Sequence, residues 1–299
     1  MQHLVGRTPQ AVQQPGTRWQ LASVRAACAW LQKCALSSVS RLLRRCQISL
    51  KRSRDYLRSP DEHYVAKLTD ITTTLAQVAA SKGRLVLVFL DEFSFYRQPT
   101  ASVDWCRVGA TTQPLARRSH RSDTCGRIVG ALNALTGKVT TRVTSKMTIP
   151  QLVQFWSDLR TQYPTAEKIY VVLDNWPVHF HPDVLAALEP QATRWARKTP
   201  SNWPTQPSAK AKRLNLPLQL LPLPTYASWC NPIEKFWRKL QQEVLHLHRE
   251  ADDWQALREK ILLFLKQHET ASQELLRYVG LTNNAKLFGA VFAPNASPT

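Results

Sequence analysis

Two stretches decide how this chain folds: Leu85-Val86-Leu87-Val88-Phe89-Leu90-Asp91 and Lys168-Ile169-Tyr170-Val171-Val172-Leu173-Asp174. Each is a short, almost unbroken apolar run, which suits a strand buried on both faces. Each ends in an aspartate. In open α/β sheets the functional crevice lies beyond the carboxyl ends of the strands. If the two strands are neighbours, Asp91 and Asp174 stand side by side there. A lone aspartate at a strand end is often only a turn former or helix cap. A pair in one context points further, because two carboxylates at close range repel and a divalent cation removes the repulsion. Mg²⁺ binds one or two carboxylates together with water and substrate phosphate.

Working outward, Val103–Val108 and Arg127–Leu135 read as further strands, with a hairpin turn near Gly137. Ile149–Gln162 is predicted as an amphipathic helix with Leu152, Phe155, Trp156 and Leu159 on one face. A helix over Pro182–Leu188 follows the second aspartate. The stretch 189–216 holds four prolines and six basic residues and reads as an irregular basic loop. Leu218–Leu221 is a short strand, and helical segments over 231–248, 252–268 and 272–279 close the chain. Upstream, Ser59-Pro60-Asp61-Glu62 is a helix start, with a serine cap, proline in the first turn and acids beside it. That helix should run to about Ala80.

Charge is concentrated rather than spread. The 299 residues carry 40 Lys and Arg against 21 Asp and Glu, a net charge of +19. Residues 1–60 contain 11 of the basic residues and one acid, Asp55, and no acid occurs between Pro190 and Ile233. Local basicity of this kind is the footprint of a polyanion partner, most often a phosphate backbone. Between Trp19 and Gln32 apolar residues recur at helical spacing. Ser37 then stands as an N-cap before a stripe of Val39, Leu42 and Leu43 with Arg41, Arg44 and Arg45 facing outward. Two short helices with a basic second one form the helix-turn-helix pattern, whose second helix enters the major groove. A small helical hairpin with a solvated arginine face is the plainer reading; the cationic run 50–58 favours DNA.

Other classes are set aside by composition. No apolar run approaches the roughly 20 residues of a membrane-spanning helix, so no membrane partner is expected and a cytoplasmic, nucleoid-associated protein is. The six cysteines show no paired spacing. With nine glycines and no phosphate-binding loop motif, nucleotide hydrolysis is not indicated.

A third acid would be needed to hold a second ion. Asn231-Pro232-Ile233-Glu234 opens a helix whose apolar stripe is Ile233, Phe236, Trp237, Leu240, Val244 and Leu247. From spacing alone, Glu234 belongs to a capping box with Asn231.

Taken together, Val88-Phe89-Leu90-Asp91-Glu92, then Trp105 and Gly109, then Leu173-Asp174-Asn175-Trp176-Pro177-Val178-His179, then Leu223-Pro224-Thr225-Tyr226 and Asn231-Pro232-Ile233-Glu234-Lys235-Phe236-Trp237 resemble the DDE transposases, specifically the insertion-sequence 630 family of the mariner superfamily. The resemblance covers about Trp19–Leu281. It implies an α/β, RNase H-like mixed sheet flanked by helices, preceded by a small all-α helix-turn-helix module. It also makes Asp91, Asp174 and Glu234 the catalytic, metal-binding triad, against the capping reading of Glu234. Two Mg²⁺ ions per site, with Mn²⁺ as a substitute, would then serve strand cleavage and strand transfer. By the same resemblance Glu92, Asn175 and His179 sit beside the site, supporting the ligands or contacting DNA.

The expected organisation is a disordered lead over 1–18, a helix-turn-helix module over 19–58, a linker helix over 59–82 and a catalytic domain over 83–250. The basic insertion lies near 190–216, and helices over 251–299 pack on the catalytic domain. Arg41, Arg44, Arg45, Lys51, Arg52 and Arg54 of the module, and Arg194, Arg197, Lys198, Lys210, Lys212 and Arg213 of the insertion, are the expected DNA contacts, with Trp195 or Trp203 stacking on bases. Partners are double-stranded DNA, as terminal inverted repeats and target, and a second copy forming a homodimer on DNA. Relatives of this type carry two helical modules and this chain has room for one, the pattern of a truncated copy. A truncated or domesticated protein that binds DNA without transposing is therefore the alternative, and another RNase H-fold nuclease the third reading.

Overall fold

The computed structural model describes residues 1–51, 59–109, 112–188, 195 and 197–282. The chain divides into two compact units, Met1–Leu57 and Arg58–Thr299.

The first unit is all-helical. α1 (Gln2–Val5) and a 3₁₀ turn (Pro9–Val12) precede α2 (Leu21–Ala27), a second 3₁₀ turn (Ala29–Leu31) and α3 (Leu36–Arg45). Val24, Leu31 and Val39 form a small core on which Met1, Leu4, Val5, Trp19, Leu42 and Leu43 pack. The expected disordered lead is thus corrected: Met1, Leu4 and Val5 reach the core. Helix α3 starts one residue before Ser37, with Ala35 at the cap position. Arg41, Arg44 and Arg45 are exposed along it, as is Lys51 beyond its end. Arg52 and Arg54 lie outside the described residues.

The second unit is built on a five-stranded mixed sheet of order β3-β2-β1-β4-β5. Its strands are β1 (Leu85–Tyr96), β2 (Cys125–Asn133), β3 (Val139–Thr144), β4 (Lys168–Leu173) and β5 (Leu218–Pro222). β1, β2 and β3 pair antiparallel, whereas β4 and β5 join parallel to β1. Alternation along β1 divides the core. Leu87 and Phe89 face α4 (Tyr64–Ala80), α7 (Ile233–Leu240), α8 (Trp254–Gln267) and α9 (Gln273–Val279). Val86, Val88 and Leu90 face α5 (Ile149–Gln162) and α6 (Pro182–Leu185). Both faces of the sheet are therefore covered, as the continuous apolar runs required.

Several sequence expectations are corrected. β1 does not stop at Asp91 but continues to Tyr96, because β2 pairs with it along that whole length. Val103–Val108 forms no strand; Val103, Trp105 and Val108 stand fully exposed, with no neighbouring strand among the described residues to pair them. α4 begins at Tyr64 rather than Pro60, α6 ends at Leu185, and α7 gives way to a π-helical turn at Gln241–Leu245.

The entry into α4 is tied to the turn after β5. Lys67 and Asp61 form a buried ion pair at 2.6 Å, and Asp61 also accepts the backbone N–H groups of Thr225 at 2.8 Å and His63 at 2.9 Å. Burial alone would raise the Asp61 carboxyl, but these donors outweigh it and hold the group at about 2, against an ordinary 3.8. A carboxyl depressed by folding contributes stability above its unfolded value and loses it as pH falls through the folded one. Asp61 should therefore contribute about 2 kcal/mol near neutrality, lost progressively between pH 4 and pH 2. Urea unfolding of the parent and Asp61→Asn at pH 6 and pH 2.5 measures this. The gap between the two proteins should close at the lower pH, and a constant gap would contradict the assignment.

Candidate active site

β1 and β4 run parallel with Phe89 level with Val172, so the next residues on the same face, two further along each chain, are Asp91 and Asp174. Phe89 and Val172 both belong to the core under α7, so the two aspartates face that helix. Glu234 is the second residue of α7, whose Ile233, Phe236, Trp237 and Leu240 are buried against the sheet. The capping box read from the sequence does not form: no side chain caps α7, and Asn231 instead donates from Nδ2 to Leu90 O at 2.9 Å. The Glu234 carboxylate is left free of any capping duty, while Asn231 ties the start of the helix to the strand just before Asp91.

Asp91 accepts a hydrogen bond from Trp237 Nε1 at Oδ2, 3.1 Å away. The indole reaches it over Gly130, the residue paired with Asp91 across β1 and β2. A Cβ at Gly130 would lie 2.6 Å from Trp237 Cη2. Glycine is thus required here by close approach of an aromatic ring.

His179 is fully buried and held between two acids. Its Nε2 lies 2.8 Å from Glu92 Oε1, and its Nδ1 faces Asp174 Oδ1 at 3.3 Å. Burial alone would lower this imidazole, but the charges of Glu92 and Asp174 prevail and push it up to about 10, so it is an imidazolium at neutral pH. Reciprocally, Asp174 is held below its ordinary value against the opposing effect of burial, by His179 and by the Trp176 N–H at 2.9 Å. Asn175 donates from Nδ2 to Leu223 O at 2.7 Å, pinning the end of β4 to the end of β5. Trp176 packs edge-on against His179.

Among the described residues, the trio of acid or histidine side chains whose ligand atoms all lie within 4.8 Å of one another is Glu92, Asp174 and His179. A hydrogen bond from His179 to Glu92 and an ion pair to Asp174 account for that trio, with a cation of its own at the centre. Asp91 and Glu234 lie more loosely about it. Desolvation, then the charges of Glu234, Glu92 and Asp174, push Asp91 up to about 8. Glu234 is raised by desolvation and by Asp174, with Arg238 pulling the other way. One imidazolium does not balance four ionised acids, so without a further cation Asp91 keeps its proton at neutral pH. An all-oxygen donor set under mutual repulsion fits a hard divalent cation.

Residues 86–258, 173 of the 299, match the family described as DDE superfamily endonuclease. The chain belongs to this family. This DDE endonuclease is 22% identical over 260 residues to the insertion element IS630 uncharacterized 39 kDa protein of Shigella sonnei, covering 86% of this chain and 67% of the relative. Among solved structures, the Mos1 transposase paired-end complex with left transposon end aligns at a TM-score of 0.58 and 13% identity, over 95% of this chain and 81% of that one. The Mos1 mariner paired end complex with Mn gives 0.57 at 14% identity, over 93% and 80%. The shared architecture is the RNase H-like mixed sheet expected from the sequence.

The basic stretch of this endonuclease is tied to the segment that follows Asp174. Ser208 donates from N and Oγ to the Asp183 carboxylate at 2.6 and 2.9 Å, and the Arg197 guanidinium lies 4.2 Å from the centre of the Phe180 ring. Lys198, Lys210, Lys212 and Arg213 are exposed; Arg194 lies outside the described residues. Trp203 packs edge-on against His181, and Trp195 packs on His63 with Lys67 over its ring, so both indoles serve as anchors. Sequence reasoning placed Trp237 in the apolar stripe and missed its second role. The signal was present: Trp237 is three residues from Glu234, on the same side of the helix.

Proposed function

We propose that this DDE endonuclease is the transposase of an insertion sequence, cutting DNA strands at the element's terminal inverted repeats and joining them to target DNA. The reading rests above all on Asp91 in β1 and Asp174 just past the end of the adjacent parallel strand β4, facing the helix that carries Glu234. In this reading the three carboxylates hold two Mg²⁺ ions, for which Mn²⁺ can substitute. Such ions activate the attacking water or 3′-hydroxyl and stabilise the leaving oxygen of an in-line displacement. Trp237 fixes the orientation of Asp91. His179, with Glu92, fixes Asp174 and offsets part of the negative charge that would otherwise repel a phosphate. Exposed lysines and arginines of the insertion (Lys198, Lys210, Lys212 and Arg213) and of α3 (Arg41, Arg44 and Arg45) bind backbone phosphates. The likeness to Mos1, solved in paired-end complexes with Mn and with Mg, supports both the ion class and a DNA partner.

The test uses end-labelled duplexes from either side of the coding region. With Mg²⁺ or Mn²⁺ the protein should nick at the repeat ends, and EDTA should abolish nicking. Tight binding without nicking in either metal would leave a DNA-binding protein only. Preference for an RNA–DNA hybrid would make it an RNase H-type nuclease.

A further inference from the structure

The segment joining β5 to α7 connects the two sides of the acidic edge of the sheet. It starts beside Asp174, where the Leu223 N–H donates to Leu173 O at 2.8 Å and Leu223 O accepts from Asn175. It ends beside Asp91, where Asn231 reaches Leu90 O. Between these points Tyr226 has φ of 55°, in the left-handed region. A bulky side chain there strains the backbone, whereas glycine would sit without strain. Packing does not account for the tyrosine either, since it is 73% exposed.

The turn is nevertheless rigidly braced. Thr225 N–H donates to Asp61, itself locked in the buried pair with Lys67, and Ser59 Oγ donates to Thr225 O at 2.6 Å. Trp229, 43% exposed on the same segment, is steadied by its Nε1 donating to the Tyr64 hydroxyl at 3.4 Å. A fixed, strained turn thus presents an uncovered ring three residues from Leu223, at most roughly 10 Å of main chain from the point where the chain leaves β5 bonded to Leu173.

We propose that Tyr226 is a base-stacking residue of the active site, taking an unpaired nucleobase next to the cut phosphodiester. The proposal rests on the reading of the acidic edge as a DNA cleavage site. A flat aromatic face on an immobile backbone is what stacking needs, and it accepts any base because every base has a π-face. Within a duplex those faces are already covered. An exposed ring finds a partner only where the helix is nicked, frayed or opened, the condition strand cleavage creates.

The experiment uses the full chain and two DNA probes carrying 2-aminopurine at the same position. One probe is a duplex ending in a three-nucleotide single-stranded 3′ tail that contains the fluorophore; the other is fully paired. Parent and Tyr226→Phe should quench the tail fluorescence and bind the tailed probe about ten-fold more tightly than Tyr226→Ala does. All three should bind the paired probe alike. Tyr226→Gly, which removes ring and strain together, should melt no lower than the parent and still lose the quenching. Equal quenching and affinity for the tailed probe in parent and Tyr226→Ala would overturn the proposal. Since binding is read separately from cutting, a parent that quenches the tail but cuts no DNA overturns the cleavage reading alone. A parent that cuts but never distinguishes the two probes overturns the stacking role alone.

Discussion

Asp174→Asn is expected to abolish strand cleavage while leaving DNA affinity close to that of the parent. The substitution is nearly isosteric, and an amide oxygen can still accept the Trp176 N–H that Asp174 Oδ1 holds at 2.9 Å, so the turn after β4 should survive. What is lost is the charge. A carboxylate that holds a divalent ion against a phosphate contributes several kcal/mol to the barrier, so the cleavage rate should fall by at least about 10³-fold. Binding should persist because it draws on a net charge of +19 distributed over both units, to which one acid contributes little. Single-turnover cleavage in Mg²⁺, measured beside fluorescence anisotropy on the same duplex, separates the two quantities. Comparable cleavage by mutant and parent would remove Asp174 from the chemistry, and with it the proposed site.

Gly130→Val should cost stability and cleavage together. A Cβ at this position would lie 2.6 and 2.9 Å from two indole carbons of Trp237 and 3.4 Å from Ile233 Cδ1. The indole has no retreat. Trp237 is 2% exposed, stacked on Phe93 with ring centres 5.4 Å apart and tilted against Phe236 at 5.1 Å. Overfilling a packed core of this kind costs about 3 kcal/mol, or roughly 6–12 °C in melting temperature for a unit of this size. Any displacement of the ring also takes Nε1 away from Asp91. Trp237→Phe separates the two effects, since it removes the donor without adding volume: it should melt closer to the parent and still cleave more slowly. An unchanged melting temperature for Gly130→Val would show that the strand can move aside and that the indole is not confined.

What could be read from the sequence, and what could not, follows from which interactions are local. β1 and β4 announce themselves through unbroken apolar runs, and the aspartates that close those runs are legible for the same reason. The continuation of β1 past Asp91 is not, because Glu92 and Ser94 interrupt the pattern and the strand persists there through its pairing with β2. Val103 and Trp105 show the converse: local alternation suggests a strand, and no partner exists among the described residues to make one. Glu234 was ambiguous because Asn-Pro-Ile-Glu spells a helix cap, and only the tertiary bond from Asn231 to Leu90 O shows the asparagine otherwise engaged. The burial of His179 between Glu92 and Asp174 depends on residues 87 and 5 positions away, beyond the reach of any local pattern. The short apolar cluster of Met1, Leu4 and Val5 likewise looked featureless until a small core gave it something to cover.

The run of β1 beyond Asp91 bears on how the site is held. Asp91 sits mid-ladder, with antiparallel pairing on its β2 side continuing as far as Tyr96 and Cys125. Asp174 lies just past the last residue of β4, and Glu234 follows a loop. The site therefore has one wall held by strand pairing and two held by single side-chain bonds, Asn175 to Leu223 O beside Asp174 and Asn231 to Leu90 O ahead of Glu234. Loss of either bond would loosen one carboxylate without disturbing the ladder that fixes Asp91.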